Sequence, residues 1–432
     1  MGGSAFNKGT DPLHTPRMPR CVYLHVKKEC TRILQTLYVT VESPIDGPDK
    51  VDYGDVDILV QGPKTATLEF QESMEKIGTA LGASRSIIEK GDVASHFALQ
   101  WPSRFANEIP RDEADGSQKA SHVQVDVKIC KDLQELQWVY FKHSHGDAWS
   151  ILGSIIRPYG ITIDTTAMWI RVPEIEAADR KRARVFLTDD IAETLNFLGL
   201  SHERFFEGEF ESLQDMFDYT TSCRMFWVRP KEPESDPVPN KEAPEPGISG
   251  NPGQLTSNDR RRMKQRPAFA MWQNEFIPKC REMGLFLEKV TAREKVTEEA
   301  LEKFGAREQF ENRRDNFLRE QQRDRIKNQI IIPAVTDADD GNQDASVYRS
   351  CLVSALKRII LEGDEEYGVL PEASLKDDND FFDQDKVADF IKRRKDEVGK
   401  AAFAILKQNR EESRKQKQSS GTVGTTKGTG SG

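Results

Sequence analysis

Two aspartates one residue apart, Asp55 and Asp57 in Gly54-Asp-Val-Asp-Ile58, lead straight into an apolar run. In a strand, alternate side chains share a face, so both carboxylates project together while Val56 and Ile58 turn into a core. Like charges that close repel, and a cation between them relieves the repulsion; oxygen-only ligation suits Mg2+ or Mn2+. A second strand-like run, His122-Val-Gln-Val-Asp-Val-Lys128, has Val123, Val125 and Val127 on one face and Gln124, Asp126 and Lys128 on the other. Asp126 can therefore join the pair from a neighbouring strand. Three carboxylates on adjacent strands are what two-metal nucleotidyl transfer requires, and the same acids serve a two-metal nuclease. The plainer alternative is that aspartates at strand starts cap turns and that D-x-D arises by chance. Against it, an acid flanked by valines is poor surface decoration, because burying unpaired charge is costly.

The elements that must position these acids are readable from periodicity. Val22, Val26, Cys30, Ile33 and Leu37 recur at helical spacing, as do Phe70, Met74, Ile77 and Leu81 after the candidate caps Thr65 and Thr67. Strands are expected over residues 55–60, 97–101 and 122–129. Asp132 and Glu135 have capping-box spacing before a helix carrying Leu133, Leu136 and Tyr140, and a further helix runs from about Asp147 to Arg157, ended by Pro158. Residues 167–228 then read as two strands (AMWIRV, ARVFLT), a helix capped near Thr188 and a last helix around Leu213 to Phe217.

With 432 residues and 37% hydrophobic content the chain is expected to form two domains plus linkers. The expected organisation is a catalytic core at 1–165, a small α+β unit at 166–230 and a Pro/Glu/Ser/Gly-rich disordered linker at 231–258. A charged helical region at 259–408 and a disordered tail at 409–432 complete it. The fold class is thus an α/β (α+β) core with a mixed sheet, a small α+β unit and a mostly α-helical C-terminal region. No apolar run is long enough to span a membrane and no secretory signal is present, so a cytoplasmic or nuclear location is expected. Six scattered cysteines without a C-x-x-C pair read as free thiols. The net charge of −9 opposes nucleic-acid binding by the molecule as a whole, though a local basic patch can act alone.

The acids resemble those of the polymerase-β-like nucleotidyltransferase superfamily, which includes poly(A) polymerases and tRNA CCA-adding enzymes. That superfamily carries a Gly-Ser motif, then h-D-x-D-h on one strand, then a third Asp on a later strand. Here Gly2-Gly3-Ser4, Gly54-Asp55-Val56-Asp57-Ile58 and Val125-Asp126-Val127 stand in that order. In more detail the chain is similar to a fungal branch in the runs GGSAF, TPRMP, SPIDGPDKVDYGDVDILV, HSHGDAWSILGSIIRPYGITID and FLTDDIAETLNFLGL, covering about residues 1 to 228. The resemblance implies a nucleotidyltransferase core and transfer of a nucleoside monophosphate from an NTP to a hydroxyl acceptor, an RNA 3′ end being the first candidate. Asp55, Asp57 and Asp126 are the implied catalytic metal ligands, with Mg2+ or Mn2+ as cofactor. One departure is large: 50 residues separate Ser4 from Asp55 where the superfamily usually has one short helix. Gly3 and Ser4 either cradle triphosphate oxygens through their backbone amides or belong to a frayed terminus.

Phe141-Lys-His-Ser-His-Gly-Asp147 falls between two expected helices, in a part of the chain that reaches the nucleotide in the resembling families. Lys142 is a candidate for the triphosphate, and Ser144, His145 and Asp147 for sugar or base; the bland reading makes Ser144 and Asp147 helix caps. His143 and His145 lack zinc spacing. Arg17 and Lys27 are further phosphate candidates by position alone. Asp259 to Arg266 holds five basic residues in eight, an RNA-facing patch or, more plainly, a solvated helix. The competing function is a nucleotidyltransferase-fold scaffold without catalysis, acting through partners bound by its helical region.

Overall fold

In the computed structural model, residues 3–8, 10–65, 69–89, 94–110, 120–230, 247–248, 255–335 and 343–420 are described. The chain begins with β1 (Met18–Pro19), α1 (Arg20–Leu34), β2 (Tyr38–Glu42), β3 (Asp52–Tyr53), β4 (Asp55–Pro63) and α2 (Phe70–Leu81). It continues with β5 (Arg85–Ile87), β6 (Ser95–Gln100), β7 (His122–Ile129), α3 (Leu133–His143) and α4 (Ala148–Ile156). Five strands form a mixed sheet in the order β2-β4-β7-β6-β5, with β4 and β7 parallel and the other pairs antiparallel.

Alternation along β4 and β7 sorts the two faces of this sheet. Val56, Ile58 and Val60 with Val123, Val125 and Val127 are buried against Val22, Val26, Cys30 and Leu34 of α1 and Met74, Ile77 and Leu81 of α2. The opposite face packs on α3 only in part: Leu59 meets Cys130, Leu136 and Val139. Asp55 and Asp57 at the start of β4, and Asp126 midway along β7, stand outside that apolar patch. Asp132 caps α3 as its spacing predicts, its side chain accepting the Glu135 N–H at 2.7 Å. For α2 the expected caps do not serve: Glu69 holds the N-cap without a side-chain bond, Thr65 accepts from Lys76, and Thr67 lies outside the described residues.

A second, three-stranded antiparallel sheet follows, β8 (Ile161–Ile163), β9 (Met168–Arg171) and β10 (Arg184–Thr188), with the short α5 (Pro173–Glu176) between its last two strands. β8 was not anticipated, because Gly160-Ile-Thr-Ile163 is too short for its alternation to register. Then come α6 (Ile191–Leu198), capped by Asp190, α7 (His202–Phe206), α8 (Leu213–Thr221), α9 (Ser257–Gln265), α10 (Pro267–Met271), a π-helical turn at Trp272–Phe276, α11 (Ile277–Glu282) and α12 (Arg293–Lys303).

The chain divides into two compact units at Phe310/Glu311, not near residue 259. Arg157 pairs with Asp259, Arg266 with Asp147 and Arg293 with Glu176, so the helices after the expected linker belong to the first unit. The linker is correspondingly shorter at its end: Ile248 is buried and bridges Val228, and Thr256 caps α9. The rest of 231–258 lies outside the described residues. A shift to polar composition marks a surface loop as readily as a domain border.

The second unit contains most of α13 (Arg307–Arg325), a π-helical turn at Ile326–Ile331, α14 (Ile332–Ala334), α15 (Gln343–Lys357) and α16 (Gln384–Ser420). Its core gathers Ile326, Leu356, Ile359, Phe390, Ile391 and Val398. The expected disordered tail at 409–432 is corrected in part, since α16 carries helix through residue 420; 421–432 lie outside the described residues. No helix among the described residues is long and apolar enough to cross a membrane.

Candidate active site

Strand register brings the acids into rows. On the parallel pair, Asp55 stands opposite Gln124 and Asp57 opposite Asp126; on the antiparallel pair, His96 of β6 stands opposite Asp126. Opposed residues share a face, so Asp57, Asp126 and His96 form one row across three strands, with Asp55 and Gln124 in the next. Asp126 is only 8% exposed, and its Oδ1 accepts from Gln124 Nε2 at 2.8 Å and lies 2.8 Å from His96 Nδ1.

The N-terminal segment closes the distance that sequence leaves open. The Gly3 N–H donates to Asp55 Oδ2 at 2.8 Å and the Ala5 N–H to Gln124 Oε1 at 3.0 Å. Phe6, 2% exposed, buries itself as an anchor, and the Thr15 hydroxyl donates to the Gly3 carbonyl at 3.2 Å. Gly3 has φ +80°, and a Cβ there would sit 2.2 Å from the Gly54 carbonyl oxygen. Only glycine allows that approach. Of the residues between Ser4 and Asp55, α1 packs on the five-stranded sheet and β2 is one of its strands. Ser4 is exposed.

Charge repulsion is written into the titration of the pair. The Asp55 carboxyl is pushed above its ordinary value by burial first and by Asp126 second, against the Gly3 amide, Lys50 and Arg17. Asp57 is pushed up to about 7, again by burial first, then by Asp55 and Asp126, with Lys50 opposing. Asp57 lies in a cavity of about 260 Å3 with Pro44, Asp126, Lys128, His143 and Thr165 in its walls. Asp57 is exposed, and the cavity walls around it are what desolvate it. His96 is raised, chiefly by its bond to Asp126.

As the side chains stand, no group of three or more His, Cys, Asp and Glu among the described residues is gathered so as to hold a metal ion. The reason is visible in the contacts: Asp126 is drawn to Gln124 and His96, and Asp55 to the Gly3 amide. No family model matches this chain, nor does any curated protein.

Three candidates from the 142–147 segment are placed elsewhere. Lys142 lies 4.2 Å from the centre of the Trp149 ring rather than in the acid cavity, and burial lowers its pKa to about 7. Ser144 is fully buried, its hydroxyl donating to the Tyr140 carbonyl and accepting the Ile45 N–H. His145, also fully buried, bonds the Phe205 carbonyl through Nε2 at 2.7 Å and packs on Phe205 and Phe210. These two residues hold the 43–49 loop and the Phe205 region in place. His145→Ala is expected to lower unfolding stability by about 2–4 kcal/mol through lost packing and an orphaned carbonyl. Urea denaturation checks this, and a loss under about 0.5 kcal/mol would remove the structural role.

Asp147 accepts from Arg266, Arg17 pairs with Asp52 and Lys27 with Asp46. Of the basic run after Asp259, Arg262 and Arg266 are likewise tied to acids within the unit. Sequence reading passed over His96, Lys50 and the cavity-lining role of His143. His96 had a signal: it continues the alternation of Ala98 and Gln100, one residue before the expected strand start. A larger cavity, about 810 Å3 and lined by Glu42, Trp138, Asp190 and Phe206 among others, includes none of Asp55, Asp57 and Asp126.

Proposed function

We propose that this chain is a divalent-cation-dependent nucleotidyltransferase that moves a nucleoside monophosphate from an NTP to a hydroxyl acceptor, with pyrophosphate leaving. The observation that carries the reading is the Gly3 amide on Asp55 beside the Asp57–Asp126 row. It brings Gly3 of the Gly-Ser motif to the first of the three acids across the 50 residues between them. The chemistry of the donor set suits Mg2+ or Mn2+: three hard carboxylates, with Asp55 and Asp57 raised by burial first and by repulsion from neighbouring carboxylates second, a cost that a cation would relieve. Asp55, Asp57 and Asp126 would hold it, and the bound cation would acidify the attacking hydroxyl and offset phosphate charge.

The chain's own groups have separable parts. Gln124 and His96 fix Asp126 through Oδ1 and so orient its carboxylate beside Asp57. Lys50 and Arg17 supply positive field near Asp55. An RNA 3′ end as acceptor, and a cytoplasmic or nuclear setting, belong to this reading by analogy.

The test is Mg2+-dependent pyrophosphate release with each of the four NTPs and RNA, small-molecule and protein acceptors, Asp126→Ala serving as control. Release by wild type and none by the variant is the expected result. Equal inertness of both across all acceptors overturns the reading. That outcome favours a catalytically inactive scaffold of the same fold, for which the ungathered carboxylates speak; the scaffold predicts no Mg2+-dependent NTP binding.

A further inference from the structure

The five-stranded sheet ends in an open edge at β2. Tyr38–Glu42 pairs with β4 on one side, and on the other no strand, turn or loop bonds its backbone among the described residues. A free edge carries a row of unpaired N–H and C=O groups and is a template for another extended chain. Edges are commonly blunted with lysine or proline, but this strand has neither, and its Val39 is 67% exposed.

What lies beside the edge says which chain it suits. Thr40 and Glu42 of β2 share the walls of the cavity of about 810 Å3 with α3, with the start of α6 and with α7. Those walls hold three carboxylates, Glu42, Asp189 and Asp190, and neither lysine nor arginine. None of the three forms an ion pair among the described residues. Asp189 accepts from the Gln134 side-chain amide and Asp190 from the Glu193 N–H, while the exposed Glu42 carboxylate has no partner there. Its field reaches the aromatic wall, where the Tyr140 hydroxyl is pushed above its ordinary value by burial first and by Glu42 second. Tyr140 stacks with Phe206 at 6.3 Å between ring centres, and His202 lies 4.8 Å from Phe206. Aromatic faces suit the apolar stem and the cationic head of a lysine or arginine, and free carboxylates suit its charge.

We propose that β2 and this cavity receive an extended basic segment of a partner protein, which adds a strand to the sheet edge and sets its lysine or arginine side chains among Glu42, Asp189 and Asp190. In such a mode backbone pairing gives affinity and the pocket beside the strand gives specificity. The uncompensated acids select the charge of the partner. A second copy of this chain is a poorer occupant, because a symmetric contact would bring the same carboxylates face to face. The surface stands independently of the proposed transferase chemistry, since it shares no residue with the cavity of Asp57 and Asp126.

The experiment is fluorescence anisotropy of the full chain with a labelled heptapeptide alternating lysine and valine, whose lysines share one face when it is extended. Saturable one-to-one binding is expected, unchanged by Asp57→Asn. It should weaken at least tenfold with Glu42→Lys, and equally when the same residues are reordered into a lysine block and a valine block. Glu42 is exposed, so its replacement leaves the fold intact, and circular dichroism of the variant checks this. Absence of saturable binding, equal affinity of Glu42→Lys and wild type, or equal affinity of the two peptides overturns the proposal. So does displacement of the peptide by equimolar spermine, since that makes the cavity a polyamine site. A wild-type dimer in sedimentation that Glu42→Lys dissolves also overturns it, since that makes the edge a contact between copies.

Discussion

Asp57→Asn is expected to lower Mg2+-dependent pyrophosphate release by at least ~10^3-fold while making the metal-free protein more stable at pH 8. The two effects have one cause. Burial first, then repulsion from Asp55 two residues back on the strand and from Asp126 across the same cavity, pushes the Asp57 carboxyl up to about 7 from an ordinary 3.8. Between those values the folded chain holds a proton that the unfolded chain releases, so stability falls as pH rises from about 4 to about 7 and then levels. Asparagine never ionises. Wild type and variant should therefore match near pH 4 and diverge toward pH 8, by on the order of 1 kcal/mol once solvent screening is allowed for. That is a rise of about 2 °C for a unit of this size. Mg2+ should close the gap by stabilising wild type alone. Thermal melts with and without EDTA, beside the release assay, read both halves. A variant within tenfold of wild-type activity removes Asp57 from the chemistry, and a variant less stable than wild type at pH 8 removes the repulsion argument.

Gly3→Ala is expected to cost about 100-fold in kcat/KM with a Tm change below about 2 °C. One methyl group is enough, because its Cβ would lie 2.2 Å from the Gly54 oxygen at a φ of +80°. The segment must lift, and the amide leaves Asp55, so that the carboxylate loses a bond favouring its charged form. Phe6 still anchors the chain further on, which confines the damage to the site. The kinetic assay and a Mg2+ titration measure the loss. Activity within threefold of wild type would mean that the N-terminal motif only decorates the acids.

Local pattern sufficed for much of the architecture. Period-two alternation located β7 to the residue and turned Gln124, Asp126 and Lys128 onto one face. Helical spacing found α1 and α2, and capping chemistry found α3. All of these depend on neighbours within about four residues, which sequence displays directly. The resemblance pointed to the same acids but left the Gly-Ser motif stranded.

Contacts between distant segments needed the folded chain. Whether Ser144 and His145 faced a ligand or the core turned on Ile45 and Phe205, 99 and 60 residues away. Composition alone also misplaced the border between units, since the ion pairs that bind α9 and α12 to the first unit span more than 100 residues.

Asp55 and Asp57 on one strand face, and Asp126 on another, were determined by sequence alone, because the pleat of a strand is a local property. Their meeting across β4 and β7, the placement of His96 in the same row, and the return of Gly3 to Asp55 were decided only by tertiary structure. Strand order and the path of a 50-residue insert follow from global packing, and no local period records them.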